Sequence, residues 1–134
     1  MANALYTLGR ESFLKGEISW SGDNIKSVLV DSADYTPNLA TDQFLSDVPA
    51  AGRATNGTSA NLASKTTTGG SADAADVTLS AVTGDISEYI VIYQDTASEG
   101  SSRLIALIDT ATGLPVTPNG GDITIQWSAP IFTL

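Results

Sequence analysis

The chain has 134 residues and a mass of 13.8 kDa, the size of one domain. Six Lys and Arg stand against fifteen Asp and Glu, with no His, for a formal charge of −9. That balance excludes a general nucleic-acid binder, which needs clustered cations on phosphates, and a polybasic membrane-surface segment.

The missing residue types exclude more. Without Cys there is no disulfide framework, no thiolate nucleophile and no zinc–sulfur site. Without His the commonest general base and transition-metal ligand are gone. No apolar run approaches the roughly 18 residues of a membrane span, and the N-terminus lacks a signal-peptide core, so the expectation is a soluble chain outside the standard export route.

Residues 2–15 (ANALYTLGRESFLK) read as a helix, with Asn3 as N-cap and Gly16 as the residue that stops it. Leu5, Leu8 and Phe13 form a partial apolar stripe. Gly9 interrupts it at a cost of about 1 kcal/mol relative to Ala. A helix this weak must dock on its own domain or on a partner. Residues 1–16 are therefore taken as a helical segment and 17–134 as one β domain.

From Glu17 the apolar period is two. Residues 17–20 and 25–31 (IKSVLVD) read as strands around the Ser21-Gly22-Asp23-Asn24 turn. Thr36-Pro37-Asn38 marks a loop, and residues 41–48 a helical turn capped by Thr41 and ended by Pro49.

Residues 50–75 carry one large apolar residue, Leu62, among Gly, Ser, Thr, Asn and Ala. They read as an exposed polar loop or loosely held hairpin, or as an arm that orders against a neighbouring subunit. The Thr66-Thr67-Thr68 run favours some strand within it.

The second half is strand-rich. Residues 76–82 put Val77 and Leu79 on one face. Residues 88–94 (EYIVIYQ) and 103–109 (RLIALID) are apolar on both faces, which marks central strands covered on both sides. Ile123, Ile125 and Trp127 alternate with polar residues after the Asn119-Gly120-Gly121 turn. Residues 131–134 form a last edge strand behind Pro130. Asp95-Thr96-Ala97-Ser98 and Asp109-Thr110-Ala111-Thr112 repeat the same turn chemistry. The whole reads as mainly β: a β-sandwich or small Greek-key barrel of seven to nine strands with an N-terminal helix.

Carboxylates are the one abundant catalytic group. The close pairs Asp31 with Asp34 and Asp73 with Asp76 sit in turn-like contexts, where solvated turn carboxylates are the simpler reading than a glycosidase pair. Calcium ligation by Asp31, Asp34 and Asp109 lacks the spacing of a helix–loop–helix calcium loop. Ser64-Lys65 lies in the polar stretch, away from the desolvation that a nucleophilic pair needs. Asn56-Gly57-Thr58 matches a glycosylation triplet without a secretory context. No catalytic, cofactor or metal residues are therefore assigned. As anchors of a partner interface, Leu5, Leu8, Phe13, Trp20, Leu62 and Trp127 are the candidates, although Trp20 and Trp127 read first as core or core-edge residues.

Six segments resemble a family of small virion proteins of tailed double-stranded-DNA bacteriophages: IKSVLVDSADYT from Ile25, TDQFLSDVP from Thr41, AADVTLSAV from Ala74, IVIYQDT from Ile90, RLIALID from Arg103 and DITIQW from Asp122. Ser128-Ala129-Pro130 departs from the Asp and Asn usual in relatives. The resemblance implies a non-enzymatic structural protein on the outer capsid surface, a decoration (cement) protein assembled in the bacterial cytoplasm. Its implied partners are the major capsid protein and copies of itself, as a homo-oligomer and by analogy a trimer. Nucleic acid, membrane and small-molecule substrate are not among them. The alternative is a tail, fibre or baseplate module.

Overall fold

In the computed structural model the described residues are 3–134. The first strand, β1 (Ala4–Leu5), runs directly into the helix α1 (Thr7–Leu14). β2 (Ile25–Val30), β3 (Arg53–Thr58), β4 (Ser71–Ala72) and β5 (Val77–Leu79) follow. β6 (Tyr89–Gln94), β7 (Leu104–Ile108), β8 (Ile123–Ile125) and β9 (Phe132–Thr133) complete the order. The fold is mainly β with one N-terminal helix, and the expected strand count holds at its upper end.

A five-stranded antiparallel sheet, ordered β1-β7-β6-β2-β3, is the scaffold. β2 and β6 pair over their full length, from Ile25 opposite Gln94 to Val30 opposite Tyr89. β6 and β7 form a hairpin whose register shifts between Ile92 and Tyr93. Because of that bulge Ile105 and Ala106 both reach the same core, while Leu104 and Leu107 face the other side. β6 is β-branched or aromatic at every position but Gln94, and the apolar run of β7 pairs with it, which explains why these segments choose strand.

Both faces are covered, as two-faced apolar strands require. On one, Ile25, Leu29, Ile90, Ile92, Ile105 and Ile108 pack against Ala72, Val77, Leu79, Ile123 and Ile125 of the small pairs β4–β9 and β5–β8, and against Ile131 just before β9. This is a sandwich with a divided second layer. On the other face, Val28, Val30, Val91, Tyr93, Leu104 and Leu107 lie under Tyr6, Tyr35, Leu45 and Val48. Tyr6 precedes α1, and the other three cover residues come from the irregular stretch between β2 and β3.

Several boundaries differ from the sequence reading, each for a tertiary reason. The helix expected over 2–15 is shorter: Ala4 and Leu5 pair with Leu107 and Ala106 and so extend the sheet, and Ala2 lies outside the described residues. Asn3 does not cap α1. Its Oδ1 accepts from the backbone N–H groups of Asp109 and Thr110. Gly16 does end the helix, at φ +74. Residues 17–20 are not a strand; Ile18 and Trp20 drop into the core while Asp23 Oδ2 accepts the Ser19 N–H. The turn expected over 41–48 narrows to a 3-10 turn, Leu45–Asp47, whose Asp47 carboxylate accepts from the Gln43 and Phe44 N–H groups.

The polar stretch 50–75 is no free arm in this fold. A 3-10 turn, Ala50–Gly52, leads into β3, which holds the sheet edge against β2, and Leu62 is a buried core residue. Thr55 bridges to Thr83, tying that edge to the region after β5. The Thr66–Thr68 run supplies only a bridge from Thr66 to Asp73 and the start of a 3-10 turn.

Gly9 has a role that helix propensity hides. A Cβ there would lie 2.4 Å from the Leu104 carbonyl oxygen and 3.2 Å from Ile105 Cα, so the glycine is what lets α1 lie against β7. Gly9→Ala would gain about 1 kcal/mol in intrinsic propensity, yet we expect a lower melting temperature, because the obstacle is sheet backbone. A raised melting temperature would show that α1 shifts freely. In the central strands, Ile92→Ala and Leu107→Ala should each cost about 2–5 kcal/mol in denaturant unfolding, since both side chains are fully buried.

Candidate functional site

Phe132 lies between two surface hollows. Its ring meets Trp20 edge-on, with centroids 5.1 Å apart at 84°, and lies 6.2 Å from Phe13. Both contacts suit the aromatic quadrupole. β9 holds the ring in place through its pairing with β4. A hollow opens on each side of it.

On one side is an apolar groove of about 250 Å³ between Phe13, Trp20, Ala72, Phe132 and Leu134. None of its lining residues is charged, and Leu134 is half exposed. On the other side, a cleft of about 360 Å³ separates β1 from β9. Leu5, Ala106, Ile108 and Ile131 make its apolar walls, with Asn3, Arg10 and Thr133 as polar lining.

The six sequence-predicted anchors divide. Leu5 and Phe13 are partly buried against the core and line these two hollows, and Leu8 beside them is half-buried. Trp20, Leu62 and Trp127 are core residues and do not form an exposed anchor set. Each indole N–H is satisfied internally, by the carbonyls of Asp73 and Ala75 respectively. What the sequence missed is Phe132, which joins the two hollows, and Arg10, which lines one of them. A Phe two residues from an edge-strand proline carries no signal of its own.

The carboxylates considered for catalysis do structural work. Asp73 Oδ1 accepts the Ala74 N–H and Asp76 Oδ1 accepts the Trp127 N–H. Asp31 and Asp34 do converge, but the third member of the cluster is Asp85 in place of Asp109, with one oxygen of each within 4.8 Å of the others. Asp31 is buried and its Oδ1 accepts the Ala33 N–H; Asp34 and Asp85 are exposed. Lys65 is not presented to Ser64: its Nζ donates to the Asp23 carbonyl and Asn61 Oδ1, and burial pulls its pKa down.

The remaining cations are mostly bound internally. Arg53 donates to the Leu45 and Val48 carbonyls and pairs with Glu99, whose carboxyl it holds below the usual range. Lys26 does the same for Asp95, helped by the Ala97 N–H. Arg103 pairs with Glu17, and Lys15 with Glu11.

Under the second face lies a buried polar chain that spacing could not reveal. The Tyr6 and Tyr35 hydroxyls are 2.8 Å apart, and Tyr35 donates to Asp42 Oδ2 at 2.7 Å. Burial raises the pKa of both phenols well above the ordinary tyrosine value, so the chain stays protonated. Burial also pushes Tyr93 up to about 12. Tyr35→Phe removes one hydroxyl and strands the buried Tyr6 O–H. We expect a loss of about 1–3 kcal/mol in chemical denaturation, largely relieved when Tyr6→Phe is added. Equal or larger loss in the double variant would contradict that chain.

No protein-family model and no curated protein matches this sequence.

Proposed function

We propose that the protein is a non-enzymatic structural component of a tailed-bacteriophage particle, bound to the outside of the head as a capsid decoration protein. One observation carries the reading. The six segments that resemble the phage virion family coincide with the parts that build this sandwich. They comprise β2 with Tyr35, the Leu45–Val48 cover, β5, β6, β7 and β8. The resemblance thus follows the scaffold, in order, and not one local motif. A rigid acidic β domain suits a subunit that must not compete for packaged DNA. The uncharged groove beside Phe132 supplies apolar surface of the kind that lattice contacts bury.

Quantitative mass spectrometry of purified particles, with density for the subunit on the intact virion, tests this. The expected result is a copy number in fixed small ratio to the major capsid protein, with density outside the shell. A few copies per particle, located on the tail, would replace the head assignment with the tail or baseplate one. Absence from purified particles would overturn both.

A further inference from the structure

The cleft between β1 and β9 is bordered by main chain that the fold leaves unpaired. In β1, Ala4 stands opposite Leu107 and Leu5 opposite Ala106, and the Tyr6 N–H donates to the Ile105 carbonyl. Hydrogen-bonded and non-bonded pairs alternate along an antiparallel ladder. Ala4 and Tyr6 therefore turn their N–H and C=O groups toward β7, and Leu5 between them turns its own outward. β9 repeats the arrangement. The Leu134 N–H donates to the Gly70 carbonyl while Thr133 stands opposite Ser71, so the Thr133 N–H and C=O point away from β4. Among the described residues β1 pairs only with β7 and β9 only with β4, and neither Leu5 nor Thr133 has a further main-chain partner. Both residues line the cleft, whose volume is about 360 Å³.

The side chains around that main chain are of two kinds. Leu5, Ile131 and Phe132 give apolar walls. Arg10 lines the cleft and is exposed. Among the described residues it is the one cation whose side chain has neither an ion pair nor a hydrogen bond; the other five are committed within the fold. Asn3 also lines the cleft, but its amide is spent on the main chain of Asp109 and Thr110.

This chemistry selects the occupant. Unpaired N–H and C=O groups on a strand edge are answered by another extended main chain, which offers both at the same repeat. Its alternate side chains meet the apolar walls, and a carboxylate on it meets the unpaired guanidinium. A lining that mixes polar groups with apolar side chains is what a sheet edge presents. The subunit charge of −9 works against a strongly acidic partner, so the complement of Arg10 is a single acid on a segment of low net charge. We propose that the β1–β9 cleft binds an extended segment of another protein by strand addition. The main chain of that segment pairs with the open edges at Leu5 and Thr133, and one Asp or Glu on it pairs with Arg10. The inference stands on the cleft alone and holds whichever particle the protein joins.

A library of random peptides displayed on yeast and selected on the purified full chain supplies the probe. The most frequent peptide is then synthesised and titrated by fluorescence anisotropy. The selected sequences should alternate apolar residues and share one Asp or Glu. Arg10→Ala should weaken binding by roughly tenfold or more. Thr133→Pro removes an N–H that points into the cleft and leaves β9 paired with β4, so it should weaken binding comparably, while Thr133→Val should not. Arg10 and Thr133 are exposed, so the melting temperature of each variant should match the wild type. Hydrogen exchange on the wild-type complex reads the main chain without any substitution: the Leu5 and Thr133 amides should both slow when the peptide binds. Selection that yields no binding peptide would overturn the proposal. So would a peptide whose affinity ignores Arg10→Ala, or exchange left unchanged at either amide. None of these outcomes bears on where the protein sits in a particle, which particle mass spectrometry decides separately.

Discussion

β6 and β7 are buried on both faces, and every other part of the molecule answers to that constraint. Ile90, Ile92, Ile105 and Ile108 point to one side, and Val91, Leu104 and Leu107 to the other. Each such side chain contributes about 1.5–3 kcal/mol when it leaves water, so neither face can be left open. The short pairs β4–β9 and β5–β8 exist as a lid for the first face. They are too small to be stable alone, and their inward residues merge with the core they cover.

The second face is closed differently. Its cover from residues 31 to 52 is irregular chain, which brings backbone polar groups that must find partners. The fold supplies them with side chains. Arg53 ties the Leu45–Val48 cover to β3, Asp47 caps its own turn, and the Tyr6–Tyr35–Asp42 chain joins the helix entrance to the loop. Apolar residues do the burying and a few polar ones fix the geometry, so the cover is specific without regular structure. Ser27 Oγ, Ser87 Oγ and Arg53 Nε stay buried without partners among the described atoms.

Charge is distributed by the same economy. Fifteen acidic residues stand against six cations, and five of the six are used inside the fold. Arg10 remains, on the cleft that the open edges of β1 and β9 frame. Phe132 connects that cleft to the uncharged groove, so one side of the molecule carries both hollows.

The alternation of apolar residues by itself determined the class of fold and its central strands. In 88–94 and 103–109 nearly every residue is apolar, and only a strand covered on both sides tolerates that. The same periodicity placed β2, β5 and β8, and Pro130 marked the edge position of β9. The helical stripe read over 2–15 did pick out Leu5 and Phe13 as residues that pack on the core. Tertiary structure alone decided the rest, because the deciding partners are remote in sequence. Ala4 and Leu5 became strand by pairing about a hundred residues away, and Gly9 turned from a helix defect into a packing contact. The polar residues 53–58 have no apolar alternation, so only the open edge of β2 could recruit them. Trp20 and Trp127 took the core reading over the anchor one, and Leu62 left the polar stretch for the core, since the divided second layer needs bulk beneath it. Asp85 joined Asp31 and Asp34, and Phe132 came to divide two hollows, through chain crossings that no local spacing encodes.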